Sequence, residues 1–251
     1  CASLLTAALV ACVACSFAET APRFRIVAST YLGGPSWDQA REVIPYPDGS
    51  ALIGAQVNAD GLPVSEGAFQ PRYAGDDPSL GHSGIYGGDC YVARLSPDLS
   101  AVLAGTYFGG SKQERNTYGL MLDSGGNVVV ATMTRSPDIP TTEGCFQPRY
   151  GGGQSDIVVA KLSADCRELL WCTYVGGVAD ESPRGGLALD AEGNAIIVGT
   201  TNSRNYPTTA GALQTSLSGP RDSLVTKLRA DGSALVFSTL LGGTGEDDAT
   251  M

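Results

Sequence analysis

The segment Ser29-Thr30-Tyr31-Leu32-Gly33-Gly34 is the first of four similar segments, and their spacing decides the fold. The first glycines of successive glycine pairs lie 76, 67 and 66 residues apart. The later copies are Gly105-Thr106-Tyr107-Phe108-Gly109-Gly110, Cys172-Thr173-Tyr174-Val175-Gly176-Gly177 and Ser238-Thr239-Leu240-Leu241-Gly242-Gly243. Such a period indicates an array of similar units, because each unit must bury its apolar face against its neighbours.

The composition of the 251-residue chain favours β-structure. With 33 glycines, 14 prolines and only 17% charged residues, we expect short strands joined by tight turns rather than long helices. The hydrophobic share of 43% is enough for a sizeable core. A formal net charge of −10 repels phosphate backbones and anionic lipid, which argues against a nucleic-acid partner and leaves basic ligands and cations open.

Each unit contains apolar segments that are typical of strands. In the second unit they are residues 118–123, 128–133, 156–162 and 169–174, and in the third 186–190, 194–198, 222–228 and 234–239. The first unit is looser, with Pro45 and Pro47 near its first hairpin, but keeps 89–95 and 102–106. Four antiparallel strands joined by hairpins predict the blade of a β-propeller. We therefore predict an all-β partial β-propeller over residues 19–251, with about three complete four-stranded blades at roughly 35–110, 111–177 and 178–243.

The predicted ring is incomplete. Three blades are fewer than the about four to eight that usually close a propeller. The segment Phe24–Leu32 is predicted to be a lone strand that completes the last blade where the ring closes. We therefore expect a fragment whose partners are the remaining blades of a full-length chain, because open sheet edges favour association.

A long connector between the second and third strands carries repeated text of its own. Its copies are Leu62-Pro63-Val64-Ser65-Glu66-Gly67-Ala68-Phe69-Gln70, Ile139-Pro140-Thr141-Thr142-Glu143-Gly144-Cys145-Phe146-Gln147 and Tyr206-Pro207-Thr208-Thr209-Ala210-Gly211-Ala212-Leu213-Gln214. We expect a structured connector with one short turn, held against the blade by burial of the Phe or Leu. A loop that reads a ligand is the alternative.

These segments resemble the SBBP repeats, a bacterial β-propeller repeat family. The resemblance rests on the Ser-Thr-Tyr-Leu-Gly-Gly segment, the Pro-Thr-Thr-x-Gly-Ala-Phe-Gln segment and the Asp-x-Phe-Val-x-Lys-Leu strand, and it covers roughly residues 25 to 248. The hairpin Gly119–Asn127 is also similar to NHL propeller repeats. The first unit departs from the pattern through an insertion at 74–88. The resemblance implies an exported or surface-associated propeller without a single established chemistry.

The N-terminal residues 1–18 are similar to a truncated export signal. Leu4–Cys15 is an apolar run too short for a membrane span, and Ser16-Phe17-Ala18 suits cleavage before Glu19. Because Leu9-Val10-Ala11-Cys12 resembles a lipobox, a lipoprotein with lipidated Cys12 is an alternative, and a structural apolar segment is a third. We expect an exported protein that is extracellular, periplasmic or attached to the cell surface.

Four cysteines follow this segment: Cys90, Cys145, Cys166 and Cys172. None recurs at an equivalent position of another unit; Cys166, for example, aligns with Leu99 and Gly232. We therefore expect isolated thiols rather than a disulfide framework, with one accidental bridge as the alternative.

Few side chains suggest chemistry. The one histidine, His82, lies in the Gly-rich insertion and is expected to be solvated. Acidic residues follow each Gly-Gly pair, where one blade leads into the next. Their convergence near the axis would suit Ca²⁺ or a cationic ligand, and the alternative is a solvated turn. The candidates are Asp38, Glu114, Asp180, Glu181 and Asp247, with Glu246 and Asp248 beside the last.

The hairpin acids Asp123 and Asp190 are predicted to be structural acceptors of amides in their own turns. With no nucleophile–base pair apparent, the sequence favours a non-enzymatic, exported β-propeller that acts as a binding or structural module, with no cofactor and a protein or carbohydrate ligand. The alternative is a carbohydrate-active propeller enzyme, a hydrolase or lyase, that uses carboxylates on the axial face.

Overall fold

The structure, a computed structural model, describes residues 25–76 and 87–250. Within these residues the chain is all-β, with twelve strands in three antiparallel four-stranded sheets and no helix. The strands are β1 (Asp38–Pro45), β2 (Ala51–Val57), β3 (Asp89–Leu95), β4 (Val102–Phe108), β5 (Glu114–Leu122), β6 (Val128–Thr134), β7 (Asp156–Leu162), β8 (Leu169–Val175), β9 (Glu181–Leu189), β10 (Ala195–Thr201), β11 (Asp222–Leu228) and β12 (Leu235–Leu241). The predicted all-β class is confirmed, and the architecture is compatible with a β-propeller.

Each sheet is a meander in which strands pair in sequence order. β7 and β11 have the predicted bounds, but β5 begins at Glu114 and β9 at Glu181, about four residues before the apolar segments. These added residues are polar and pair irregularly: the β5–β6 register shifts between Arg115 and Thr117 and again before Gly119. The bulges explain why alternation of apolar residues does not predict the start of these strands.

The three sheets stack face to face in sequence order. The first strands of successive sheets are in contact, β1 with β5 and β5 with β9. One core cluster lies between the first two sheets and a second lies between the last two, where Trp171 packs with Ile197 and Leu224. Gly119 of β5 lies directly against Leu187 of β9, so any side chain at position 119 would separate these strands.

The connectors extend along the fourth strands and reach the next sheet. The amide of Tyr107 donates to Gln70 O, and the amide of Tyr174 donates to Gln147 O. Further along, Phe69 N donates to Cys166 O at 3.0 Å in the second sheet, and Phe146 N donates to Gly232 O at 2.9 Å in the third. Each of these connectors therefore joins its own sheet to the one that follows.

Burial of the connector Phe or Leu is confirmed for two units and wrong for the third. Phe69 and Phe146 are half-buried and pack against the two core clusters, whereas Leu213 is 82% exposed. The difference follows from the stacking, because no described sheet lies beyond the third to receive Leu213.

The tyrosine of the repeated Gly-Gly segment binds the connector. The hydroxyls of Tyr107 and Tyr174 accept hydrogen bonds from the amides of Leu62 and Ile139, at 3.0 and 2.9 Å. In the third unit the tyrosine lies in the connector instead: Leu240 takes the place of Tyr174, and Tyr206 takes the place of Ile139. Tyr206 is buried, and its hydroxyl lies 2.7 Å from Thr226 Oγ1. The motif therefore anchors the start of the connector.

The predicted lone strand over residues 24–32 is not formed in its described part, residues 25–32, which have no regular secondary structure. Ile26, Val27 and Tyr31 are almost fully exposed. A strand requires a partner edge for its backbone hydrogen bonds, and no described sheet edge pairs with this segment. The pairing of residues 24–32 with further blades therefore stays a prediction.

The four cysteines in the described residues are free thiols, as expected. Cys90, Cys166 and Cys172 are buried, and burial raises the pKa of the Cys172 thiol well above its usual value. Leu99, Cys166 and Gly232, which align in the sequence, occupy one left-handed turn position with φ values of 59°, 60° and 69°. Within residues 25–76 and 87–250 we find no helix long and apolar enough to cross a bilayer.

Candidate functional site

Four of the five candidate acidic residues occupy one recurring turn. The amide of the second glycine in each Gly-Gly pair donates to a carboxylate four residues later. The bonds are Gly34 to Asp38 (2.6 Å), Gly110 to Glu114 (2.9 Å), Gly177 to Glu181 (3.0 Å) and Gly243 to Asp247 (2.7 Å). These carboxylates therefore order the turn that leads from one sheet into the next.

The first glycine of the last three pairs lies against a second carboxylate, which the sequence reading did not single out: Asp89 at Gly109, Asp156 at Gly176 and Asp222 at Gly242. A Cβ on Gly176 would lie 2.5 Å from Asp156 Oδ1 and 2.8 Å from Glu181 Oε2. A Cβ on Gly109 would lie 2.6 Å from Asp89 Oδ1 and would also meet Glu114. Glycine is required at these two positions because any side chain would collide with two carboxyl groups. The available signal was an Asp that opens the third strand of every unit.

We call each enclosed Asp and Glu a junction pair: Asp89 with Glu114, and Asp156 with Glu181. All four side chains are at most 1% exposed. Each Glu accepts a bond from the hydroxyl of the threonine that ends the next strand of its own hairpin, Thr134 at 2.6 Å and Thr201 at 2.5 Å. Each Asp accepts from the connector, for example Asp156 from Gly151 N at 2.6 Å. The pairs thus tie a connector, a hairpin and the next sheet together.

Burial changes the acidity of the junction pairs. It raises the pKa of Asp89 and of Asp156 to about 7, and burial together with the charge of Asp89 raises the pKa of Glu114 to about 8. Burial also raises the pKa of Glu181. Oδ1 of Asp89 has no hydrogen-bond partner among the described residues, whereas the Asp156 carboxyl group interacts with that of Glu181, which also raises the pKa of Asp156. Near neutral pH the junctions therefore retain protons that exposed carboxyl groups release.

Asp180, the fifth candidate, differs from the other four. It is half-buried directly before β9, and its Oδ1 accepts the amide hydrogen of Gln154 at 2.6 Å. In the part of the chain that the structure describes, no three His, Cys, Asp or Glu side chains form a group that could hold a metal ion. His82 and Cys12 lie outside the described residues.

The hairpin acids form a second recurring set, and their structural role is confirmed. Asp123 Oδ1 accepts the amides of Gly125 and Asn127, and its Oδ2 lies 2.5 Å from Lys161 Nζ. Although burial raises the pKa of Asp123, the hydrogen bonds from Lys161 and Asn127 outweigh it and lower this pKa to about 2. The equivalent ion pairs are Arg94 with Asp48 and Lys227 with Asp190.

A polar cleft of about 210 Å³ opens between the second and third sheets, at the end of the sheets where β5 and β9 begin. We call it the arginine cleft, because arginines from four segments line it: Arg115, Arg135, Arg184 and Arg221. Sequence reading missed this cleft, since these arginines do not recur between units and lie up to 106 residues apart. Its acidic lining residues are Asp180, Glu181 and Asp248.

Comparison with known proteins adds no family assignment. No protein-family model matches the chain. A search of curated proteins finds none that is significantly similar to it. The resemblance to SBBP and NHL repeats therefore stays a prediction from the quoted motifs.

Proposed function

We propose that this chain is a non-enzymatic β-propeller module whose role is to bind a ligand or to serve as a structural platform. The observation that supports this most is the enclosure of the junction pairs. A glycoside hydrolase needs two carboxyl groups about 5–10 Å apart that reach the scissile bond. Here the carboxyl groups of the junction pairs lie against a glycine and are at most 1% exposed, which leaves almost no surface of these groups for a substrate to contact.

The finer architecture, an SBBP-like propeller with further blades, is part of this proposal. The outer face of the third sheet exposes side chains whose equivalents in the second sheet are buried. Phe237 and Leu241 are 40% and 55% exposed, against 6% and 1% for Trp171 and Val175. We propose that another unit of the same type covers this face. Its strand-connecting turn would accept the amide hydrogen of Leu213, as Gly232 O accepts that of Phe146.

An extended chain tests this architecture. A second copy of residues 178–243 inserted after Gly243 should bury Leu213 and raise the free energy of unfolding, because repeat stability grows with each interface. It should also reduce self-association, since less apolar surface is exposed. A matched control inserts the same copy with its apolar residues equivalent to Ile197 and Leu224 changed to Asp. Equal stability and self-association of both chains would contradict radial stacking of further units.

The carbohydrate-active alternative has its own test. Asp180 is the candidate acid best placed to meet a substrate, because it lines the arginine cleft. We expect no release of reducing ends, or of unsaturated sugar products, from neutral and acidic polysaccharides. Release by the wild-type chain that disappears in Asp180→Asn would overturn the non-enzymatic proposal. Asp165→Asn is the matched control, because Asp165 lies in the exposed turn between β7 and β8, at the other end of the strands.

We further propose export, with residues 1–18 as the signal. Supporting it is the apolar run that ends in Ser16-Phe17-Ala18. N-terminal sequencing of the protein secreted from a bacterial host should give a chain that begins at Glu19. Labelling with a fatty acid that is lost in Cys12→Ala would instead establish the lipoprotein alternative.

A further inference from the structure

We propose that the arginine cleft binds a carboxylate or other small oxyanion, held by Arg135 and Arg184 and by the hydroxyl of Ser182. This inference rests on the proposed binding function and names the ligand chemistry for one site. Four of the 16 Lys and Arg residues of the chain line this one cleft, although the net charge is −10. A concentration of positive charge on an acidic protein attracts anions locally.

The acidic residues of the cleft already have partners. Glu181 is 1% exposed and accepts hydrogen bonds from Gly177 N and Thr201 Oγ1. Asp180 accepts from Gln154 N, and Asp248 Oδ1 lies 3.3 Å from Arg221 Nη1. The nearby carboxylates are therefore engaged, and that of Glu181 is the most deeply buried.

Two of the arginines that line the cleft have fewer partners. Arg221 is paired with Asp248, and its Nε donates to Asn202 Oδ1 at 3.3 Å. Arg135 and Arg184, in contrast, are in none of the ion pairs formed among the described residues. The Arg135 Nε and the Ser182 Oγ are both buried and have no hydrogen-bond partner among the described residues. Buried donors without acceptors are rare and point to a missing partner.

An oxyanion is the partner that fits these donors. A guanidinium presents a planar fork of N–H groups that matches a carboxylate, sulfate or phosphate, and these charge-assisted bonds are among the strongest in proteins. The cleft volume of about 210 Å³ is below the about 300–1,000 Å³ of drug-sized sites. It suits one acidic group, such as the carboxylate of a sugar acid, rather than a large ligand.

The test is calorimetric titration of the full chain with citrate and, separately, with sodium sulfate, at constant ionic strength set with chloride. We expect both wild-type titrations to give saturable binding, or citrate alone if the site is selective for carboxylates. Arg135→Gln and Arg184→Gln should each weaken binding by about tenfold, and Ser182→Ala by a few-fold. Arg167→Gln should leave anion binding unchanged, because Arg167 lies in the exposed turn between β7 and β8, at the other end of the strands.

A second variant distinguishes loss of the site from loss of folding, because it is expected to strengthen binding and unfolding would not. Asp180→Asn retains an oxygen acceptor for Gln154 N but removes one negative charge, so it should strengthen citrate binding. Binding of neither anion, or equal binding by wild type, Arg135→Gln and Arg184→Gln, would overturn the proposal. That failure would leave the non-enzymatic module intact, which the polysaccharide assay tests. An acidic oligosaccharide that binds here and is cleaved would instead overturn the module and retain the anion site.

Discussion

The substitution Gly176→Ala tests the origin of the repeated Gly-Gly pair. The added methyl would lie 2.5 Å from Asp156 Oδ1 and 2.8 Å from Glu181 Oε2, against about 3.5 Å for an ordinary contact. Neither carboxyl group can withdraw freely, because Asp156 is held by Gly151 N and Glu181 by Gly177 N and Thr201 Oγ1. The junction must therefore rearrange.

The expected cost combines two effects. Overpacking of a close-packed interior costs about 1–3 kcal/mol. Displacing a buried carboxyl group from its donors adds about 1–3 kcal/mol for each unsatisfied group. We therefore expect Gly176→Ala to lower the free energy of unfolding by about 3–5 kcal/mol, a large part of the about 5–15 kcal/mol typical of folded domains.

Urea unfolding followed by far-UV circular dichroism and tryptophan fluorescence measures this change, since Trp171 is 6% exposed between the second and third sheets. Two alanine substitutions calibrate the result. Gly245→Ala meets no atom within 4 Å and should be nearly neutral. Gly144→Ala is also unobstructed but has φ of +76°, so it should cost about 1–2 kcal/mol. A Gly176→Ala chain as stable as Gly245→Ala would refute the close approach of the junction pair.

Three further predictions concern buried and half-buried groups. Because burial raises the pKa of Asp89 to about 7 and of Glu114 to about 8, the folded chain keeps protons that the unfolded chain releases near about pH 4. The free energy of unfolding should thus fall as the pH rises from about 5 to about 8, and this fall should be smaller in Glu114→Gln. A wild-type free energy of unfolding that does not change over this pH range would contradict the prediction. Asp123→Ala should cost about 2 kcal/mol in urea unfolding, because two turn amides and a lysine lose their acceptor. Mass-spectrometric mapping of alkylation should find half-buried Cys145 modified well before buried Cys172, and equal rates would contradict the burial of Cys172.

Sequence patterns predicted the strands that lie wholly between neighbours. β7 and β11 are apolar runs opened by an Asp and closed by a turn, so local residue types suffice to mark their ends. The starts of β5 and β9 were missed because Glu114 and Glu181 are polar and are separated from the apolar segments by bulges. Here the hydrogen bonding of the sheet outweighs the hydrophobic pattern.

The site was less predictable than the fold. Asp38, Glu114, Glu181 and Asp247 were recognised as a set, but a carboxylate in a Gly-rich turn is ordinarily solvated. Only the close approach of the Gly-Gly pair to the third strand encloses the middle two. The arginine cleft depends entirely on tertiary structure, since Arg135 and Arg184 have no equivalents in the other units.

The stacking of successive sheets is tested most directly by hydrogen exchange at three equivalent amides, measured by NMR. Phe69 and Phe146 donate to Cys166 O and Gly232 O of the following sheet, whereas Leu213 has no such acceptor among the described residues. We predict that the Phe69 and Phe146 amides are protected at least about 100-fold more than the Leu213 amide, because only they require sheets to separate before exchange. Equal, rapid exchange at all three positions would contradict the stacked arrangement.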